Sequence, residues 1–258
     1  MQNNTFSTLF VGQNLIKLTE VDSTNNFMKA MVSNSEPLPE GTVIMAENQF
    51  AGRGQQGNAW RVEPGMNLTF SLFLTPGFLT PAQQFLLNMS ISLAVCEVLQ
   101  NLMGAFVKIK WPNDFYYRDK KIGGMLIENT IAGFRYKSAI IGIGLNVNQE
   151  HFDVDLARRA TSVYQILQQK FDVPELLLNL CGSIEKEYLK LKSANYKCLQ
   201  SAYLKNLYRY NEKALYLVDG KTVDGQIEDV TLEGLLVLRS AHSVQQYGFK
   251  EIAFVNVD

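Results

Sequence analysis

Residues 81–103, PAQQFLLNMSISLAVCEVLQNLM, constrain the fold more than any other stretch. A proline at the start suits a first helical turn, and a long apolar stripe follows at helical spacing. Such a helix is stable only when another layer covers its apolar side. Strand-like runs on either side supply that layer. NLIKLTEV (14–21) alternates as a strand, GTVIMAE (41–47) is β-rich, and MNLTFSLFLT (66–75) stops at Pro76–Gly77. VKIKW (107–111) is a short strand broken by Pro112, the next residues form a hairpin turning at Asp119–Lys120, and YKSAIIGIGLNVN (136–148) is a further buried strand. After the first strand, Asp22 or Ser23 is positioned to cap a helix whose Phe27, Met31 and Val32 face inward.

The texture changes twice more. From about 158 to 208 it is helical, with Leu177, Leu180, Ile184, Tyr188 and Leu191 at three- and four-residue spacing. Beyond Asn211, short strands alternate with turns at VDGK, VTLEG and QQYGF, the pattern of a small β-barrel. The expected architecture is α+β, a sheet packed by helices over 1–210 and a small all-β domain over 211–258.

Hydrophobic residues make up 47% and charged residues 19%, the balance of a soluble globular chain. A net charge of −1 with no basic block argues against a broad footprint for nucleic acid or for a membrane surface. The first twenty residues lack the basic start and apolar core of a signal peptide, and the run AIIGIGL is too short to span a bilayer. Cys96, Cys181 and Cys198 form no CxxC pair, so reduced thiols and a cytoplasmic location are expected.

Four segments carry chemistry. In AENQFAGRGQQGNAW (46–60), Gly52, Gly54 and Gly57 bare the backbone N–H groups for an anion, Arg53 adds a forked cation, and Trp60 offers a flat face. The segment matches neither a P-loop nor a dinucleotide fingerprint, and taken alone it reads more simply as a glycine-rich hairpin loop with a solvated arginine and a core tryptophan. In KIKWPNDFYYRDKKIGG, Asn113 and Asp114 sit at the mouth of a strand, and Lys121 precedes the pair Gly123–Gly124. A surface turn accounts for the Asn and Asp but not for the paired glycines. In IGIGLNVN, Gly142 and Gly144 weaken a buried strand, so something packs on its backbone, while Asn146 and Asn148 also read as a turn. DSTN alone is a helix cap. His151 and His242 have no partner spacing, and neither a Ser-His-Asp order nor a zinc ligand set can be assembled.

Taken in order, DSTN, GRGQQGNAW, KWPND, KIGGMLIE and GIGLNVN resemble the catalytic core of the biotin–protein ligases, over about residues 14–258. The resemblance implies a biotin/lipoate ligase-like core followed by an SH3-like domain. It implies that MgATP activates biotin as biotinyl-5′-AMP and that the acyl group passes to a lysine of a biotin carboxyl carrier domain. By carry-over, Arg53 and Lys121 are the catalytic cations, and Asp114 helps deprotonate the incoming lysine. Ser23, Thr24 and Gln49 would bond the biotin ureido group, beside Gly52, Arg53 and Lys121, with Gly124 and Gly144 letting the rings lie on backbone. Trp60 would stack on adenine, and Gln55, Asn58, Asn113, Lys121 and Asn146 would line the nucleotide site. No protein ligand for the metal is implied.

Many family members carry arginine at the position of Gln55 and another cation at that of Asn58, so Arg53 here has more of the phosphate to hold. A lipoate ligase would show a histidine–aspartate pair after its glycine loop, which is absent. A silent biotin-binding protein would need neither Arg53 nor Lys121 for a neutral ring. Some relatives join ligation to DNA repression through a preceding helix-turn-helix domain of roughly 50 residues. With 21 residues before Asp22, no DNA partner and no membrane partner are expected.

Overall fold

The computed structural model describes residues 7–33, 37–61, 63–241 and 243–255; His242 lies outside them. Strands β1 (Leu15–Val21), β2 (Val43–Gln49) and β3 (Leu68–Leu74) precede β4 (Val107–Lys110), β5 (Asp114–Tyr117), β6 (Lys120–Ala132) and β7 (Arg135–Leu145). They form one seven-stranded sheet in the order β1-β2-β3-β7-β6-β5-β4. The sheet is mixed because β1 runs parallel to β2 while the other neighbours are antiparallel. Tyr117 pairs with Lys120, so the β5–β6 turn is Arg118–Asp119, one residue before the position expected. Arg118 takes the left-handed backbone there, at φ 51°, which a two-residue turn requires.

Helix α1 (Thr24–Ser33) lies on one face, where Met28 packs with Ile44, Phe73 and Ile140. On the other face α2 (Gln84–Met103) packs with α4 (Val163–Leu167), α5 (Val173–Lys192) and α6 (Tyr196–Lys205), and the short α3 (Val154–Ala157) stands between β7 and α4 in the chain. Helix α2 with the 3-10 turn before it is long and apolar enough to cross a membrane, at a mean hydropathy of 1.4. In the fold, 72% of that apolar window is buried, packed with β4, α5 and α6, and it serves as the central core helix. The apolar stripe of α5 is buried as its spacing implied, from Leu177 through Leu191. Asp172 caps that helix by accepting from the Glu175 N–H at 3.0 Å, and Lys190 and Lys192 sit in its last turn, where the helix dipole favours cations.

Glu185 of α5 is turned inward, and its carboxylate accepts N–H bonds from Leu9, Phe10 and Val11 at 2.8, 2.8 and 3.0 Å. This fixes the chain just before β1. Cys96 and Cys181 are buried free thiols, pushed up to about 12 by burial, and Cys198 is an exposed free thiol.

A second sheet contains β8 (Lys213–Val218), β9 (Lys221–Val230), β10 (Leu236–Ser240), β11 (Val244–Tyr247) and β12 (Ile252–Phe254). It is antiparallel throughout, in the order β11-β10-β9-β8-β12. Tyr216, Ile227, Leu236 and Leu238 are buried within the one apolar core that the two sheets share. The Trp111 indole N–H, at the end of β4, donates to the Gly234 carbonyl at 3.0 Å. Its ring meets Phe249 edge-on at 5.3 Å. The tryptophan of KWPND therefore joins the two sheets.

Candidate active site

The glycines of β6 and β7 turn the middle of the large sheet into bare backbone, and side chains from four segments close over it. The resulting cleft of about 250 Å³ is lined by the start of α1, the end of β2, the glycine loop, the Pro112–Asp114 turn and these two strands. Close approach explains the glycines. A Cβ at Gly142 would stand 2.4 Å from Asn25 Oδ1, and one at Gly144 would stand 2.4 Å from the Trp60 indole. At Gly124 it would stand 2.7 Å from Asp114 Oδ1.

One end of the cleft is neutral and buried. The Thr24 N–H and hydroxyl both donate to Gln49 Oε1, at 2.7 and 3.1 Å. The first N–H of α1 is thus satisfied across the cleft by Gln49 rather than by a local cap, while Asp22 accepts from Asn26 Nδ2 at 2.6 Å. That bond holds the Asp22 carboxyl below its ordinary range. Ser71 Oγ lies 2.8 Å from Thr24 Oγ1 and 2.6 Å from Asn25 Oδ1. Ser23, Thr24, Asn25 and Ser71 are all buried, so these bonds are protected from competing water.

The other end is charged and open to solvent. Lys121 Nζ stands 2.7 Å from Asp114 Oδ1, and Arg53 Nη2 stands 2.5 Å from Glu128 Oε2. The glycine loop is folded on itself: the Gly54 N–H donates to the Asn58 carbonyl at 2.7 Å and the Trp60 N–H to the Gly52 carbonyl at 2.9 Å. Arg53 and Ala59 form a β-bridge, and a 3-10 turn spans Gln55–Gly57. Behind Asp114, directly opposite it across the β4–β5 pair, stands Lys110. Its Nζ donates to Tyr116 Oη at 3.0 Å and lies over the Tyr116 and Phe254 rings at 4.5 and 5.0 Å. Burial pushes the Lys110 ammonium down to about 8, with Asp114 opposing the shift and Arg209 and Lys121 adding to it.

This arrangement, a neutral recess continuous with fixed cations, sits inside a segment that a family model matches. The Biotin/lipoate A/B protein ligase family model covers residues 17–147, just over half of the chain. The chain belongs to this family. Among similar members, the bifunctional ligase/repressor BirA of Bacillus subtilis is 34% identical over 181 residues, covering 69% of this chain and 54% of that protein. The biotin–[acetyl-CoA-carboxylase] ligase of Paracoccus denitrificans is 29% identical over 245 residues, 92% of this chain and 99% of that one. The Aquifex aeolicus biotin protein ligase in complex with biotin and ATP superposes with a TM-score of 0.79 at 27% identity, covering 95% of this chain and 99% of that chain. The chain spans about half the length of the bifunctional relatives it matches.

Within this ligase-family cleft, most residues singled out from the sequence come together. Ser23, Thr24 and Gln49 line the neutral end, and Arg53, Gln55, Asn58, Asp114 and Lys121 line the charged end. Trp60, Asn113, Gly124 and Gly144 line the walls and floor between them. Two residues stand apart from the lining. Gly52 is buried under the Trp60 carbonyl, where a Cβ would meet that oxygen at 2.4 Å. The Asn146 side chain donates to the Thr161 carbonyl at 3.1 Å and its N–H to the Ile122 carbonyl at 2.8 Å, so it ties down the end of β7. Asn113 spends its amide N–H on the Met125 carbonyl. The Trp60 indole, expected to face adenine, lies on Gly144 with its Nε1 buried and without an acceptor. Among the described residues no three His, Cys, Asp or Glu side chains gather as metal ligands.

Asn25 and Glu128 close the DSTN and KIGGMLIE motifs but were given no role of their own from the sequence, and Ser71 lies in none of the motifs. Glu128 had a signal: it shares the parity of Gly124 and Leu126 on β6 and so faces the cleft. Ser71 had none, since nothing in a strand buried along its whole length marks which polar residue meets a helix.

Proposed function

We propose that this chain joins biotin to ATP, forming biotinyl-5′-AMP and pyrophosphate, and then transfers the biotinyl group to a lysine of a biotin carboxyl carrier domain. The observation that carries this reading is the continuous cleft with a neutral hydrogen-bonding end and a cationic end, in a chain that aligns with nearly the whole of the Paracoccus ligase. Biotin offers a neutral ureido ring and a carboxylate about one valeryl chain apart, and the two ends answer those two chemistries.

In the first step a carboxylate oxygen attacks the α-phosphorus of ATP, and pyrophosphate leaves. Both reactants are anions, so the step needs cations already in place. Lys121 and Arg53 have that role: Lys121 exchanges its ion pair with Asp114 for ligand oxygens, and Arg53 offers the guanidinium N–H groups that its contact with Glu128 leaves free. Thr24, Gln49 and Ser23 read the ureido group. Trp60 moves off Gly144 to stack on the adenine, and its orphaned N–H is the incentive for that motion. Gln55, Asn58 and Asn113 border the nucleotide. In the second step the carrier lysine, as a free amine, attacks the mixed anhydride and releases AMP, and Asp114 takes the ammonium proton once Lys121 turns to the ligand. Mg2+ would enter with the ATP phosphates and neutralise charge on them, a role that asks for few protein ligands. Repression is part of the name of the bifunctional relatives, and this reading is confined to ligation.

Mass spectrometry of the protein mixed with biotin, MgATP and a carrier domain tests the reading. A mass increase on one carrier lysine that needs both biotin and ATP is expected. Pyrophosphate release that responds to lipoate and not to biotin would overturn it.

A further inference from the structure

Arg53 does not stand free in the cleft. Its Nη2 is held by Glu128 Oε2, and the same oxygen accepts from Asn25 Nδ2 at 2.8 Å. Asn25 in turn touches Ser71, and Ser71 touches Thr24, which is bonded to Gln49. A single chain of contacts therefore runs from the neutral end of the cleft to the cation of the glycine loop. Burial raises the Glu128 carboxyl, yet the hydrogen bonds from Arg53 and Asn25 and the Arg53 charge together hold it below its ordinary range. The group is an anion at neutral pH.

Among the described residues, Arg53–Glu128 is the only ion pair that ties residues 50–61 to the sheet. The loop's other bonds near Arg53 are largely its own: Gly54 to Asn58, Trp60 to Gly52, Arg53 to Ala59. A guanidinium has five N–H donors in a rigid fork, so Glu128 can orient it through one nitrogen and leave the others for a ligand.

We infer that Glu128 is a positioning residue that latches the glycine loop over the cleft through Arg53 and aims the remaining guanidinium donors inward. It touches no reacting atom. The pair is part exposed, which suits a latch that has to open for ligand entry, since such pairs are weak. The Asn25–Ser71 contacts make its position depend on the residues that read the neutral end of the ligand. The inference rests on the proposed function for what the aimed cation binds, but the latch itself exists without any ligand.

The test is therefore made first on the ligand-free protein. Hydrogen exchange of peptides covering residues 50–61 is compared among wild type, Glu128→Gln, Arg53→Gln and the double variant. Exchange about three- to fivefold faster in each single variant, with no further gain in the double, is expected of two residues acting through one contact. Dissociation of biotinyl-AMP is then measured in the same four proteins. Glu128→Gln should speed it severalfold in the Arg53 background and leave it unchanged beside Arg53→Gln. Loop exchange unaltered by Glu128→Gln, or effects that add in the double variant, would overturn the latch. Should either single variant misfold, the other still breaks the same pair. If wild type forms no adenylate, the proposed function fails while the exchange result still decides the latch.

Discussion

At the Thr24 end of the cleft the polar groups are buried and bonded to one another, whereas at the Lys121 end they are ion pairs with side chains 26–40% exposed. The difference follows from what each end can satisfy alone. A buried hydroxyl or amide without a partner costs roughly 1–3 kcal/mol, so the neutral end has to be complete before the ligand arrives. A half-exposed ammonium or guanidinium can trade one oxygen for another at little cost, so the charged end can wait in internal pairs. One end is prearranged for shape, and the other is exchangeable for chemistry.

The sharpest way to break this comparison is at the exchangeable end. Lys121→Ala should cut biotin-dependent pyrophosphate exchange by about 10²–10³-fold, as the loss of a preorganised charge contact does. Because its partner Asp114 is part exposed and can return to water, the thermal midpoint should hardly move. An unchanged exchange rate would make Lys121 an ordinary hairpin lysine.

Next in size is Lys110, which stands behind the exchangeable pair and is half-buried. Its ammonium is pushed down to about 8 in the fold and lies near 10.5 when unfolded. Between those values the unfolded chain holds a proton that the folded one has released, so raising the pH favours folding in that window. Below about 8 the full cost is present, roughly 3 kcal/mol at 1.36 kcal/mol per pH unit. Lys110→Met should therefore be the more stable protein at pH 7, with its advantage shrinking as pH rises from 8 towards 10. Urea titrations of both proteins across that range, read as a difference so that the tyrosines cancel, check the sign. An advantage that grows with pH would contradict it.

At the prearranged end, Thr24→Val removes the hydroxyl between Gln49 and Ser71 while keeping the side-chain shape. Stability should fall by about 1–2 kcal/mol, and the KM for biotin should rise about tenfold with the KM for ATP unchanged. The smallest effect is expected at Gln55, on the open loop. Gln55→Arg should slow biotinyl-AMP escape about two- to fivefold, within what one exposed charge contact supplies. A stopped-flow chase with unlabelled ligand reads it, and release as fast as in wild type would remove the role given to that position.

The two ends also differ in how far the sequence reveals them. Glycine spacing and local motifs single out Arg53, Lys121 and Asp114, and the strands and helices follow from alternation, proline and apolar spacing. What escapes is contact between segments far apart in the chain. That Gln49 satisfies the first N–H of α1 depends on β1 lying beside β2, and that Asn25 sits on Gly142 and Glu128 holds Arg53 depends on the order β2-β3-β7-β6. No local pattern encodes that strand order. The same cause hides the Trp60 indole against Gly144, since an aromatic beside a glycine loop reads equally well as a free stacking face. Helix α2 shows the opposite weakness, for its composition would serve a bilayer as well as a core, and only its neighbours decide.

The indole of Trp111 bears on how divisible this molecule is. It follows directly on β4 and leads into the turn that carries Asn113 and Asp114, yet its hydrogen bond and its aromatic neighbour come from the turns of the second sheet. Gly234, which accepts that bond, is pressed so closely on Phe85 that a Cβ would stand 2.5 Å from the ring. Cutting the chain near residue 210 would strip the acceptor from the buried Trp111 donor and uncover Phe85 and Trp111, the latter next to the turn that carries Asn113 and Asp114. The small sheet is thus a buttress for the cleft rather than a detachable module, and an engineer seeking a minimal catalytic fragment would have to rebuild that wall before removing it.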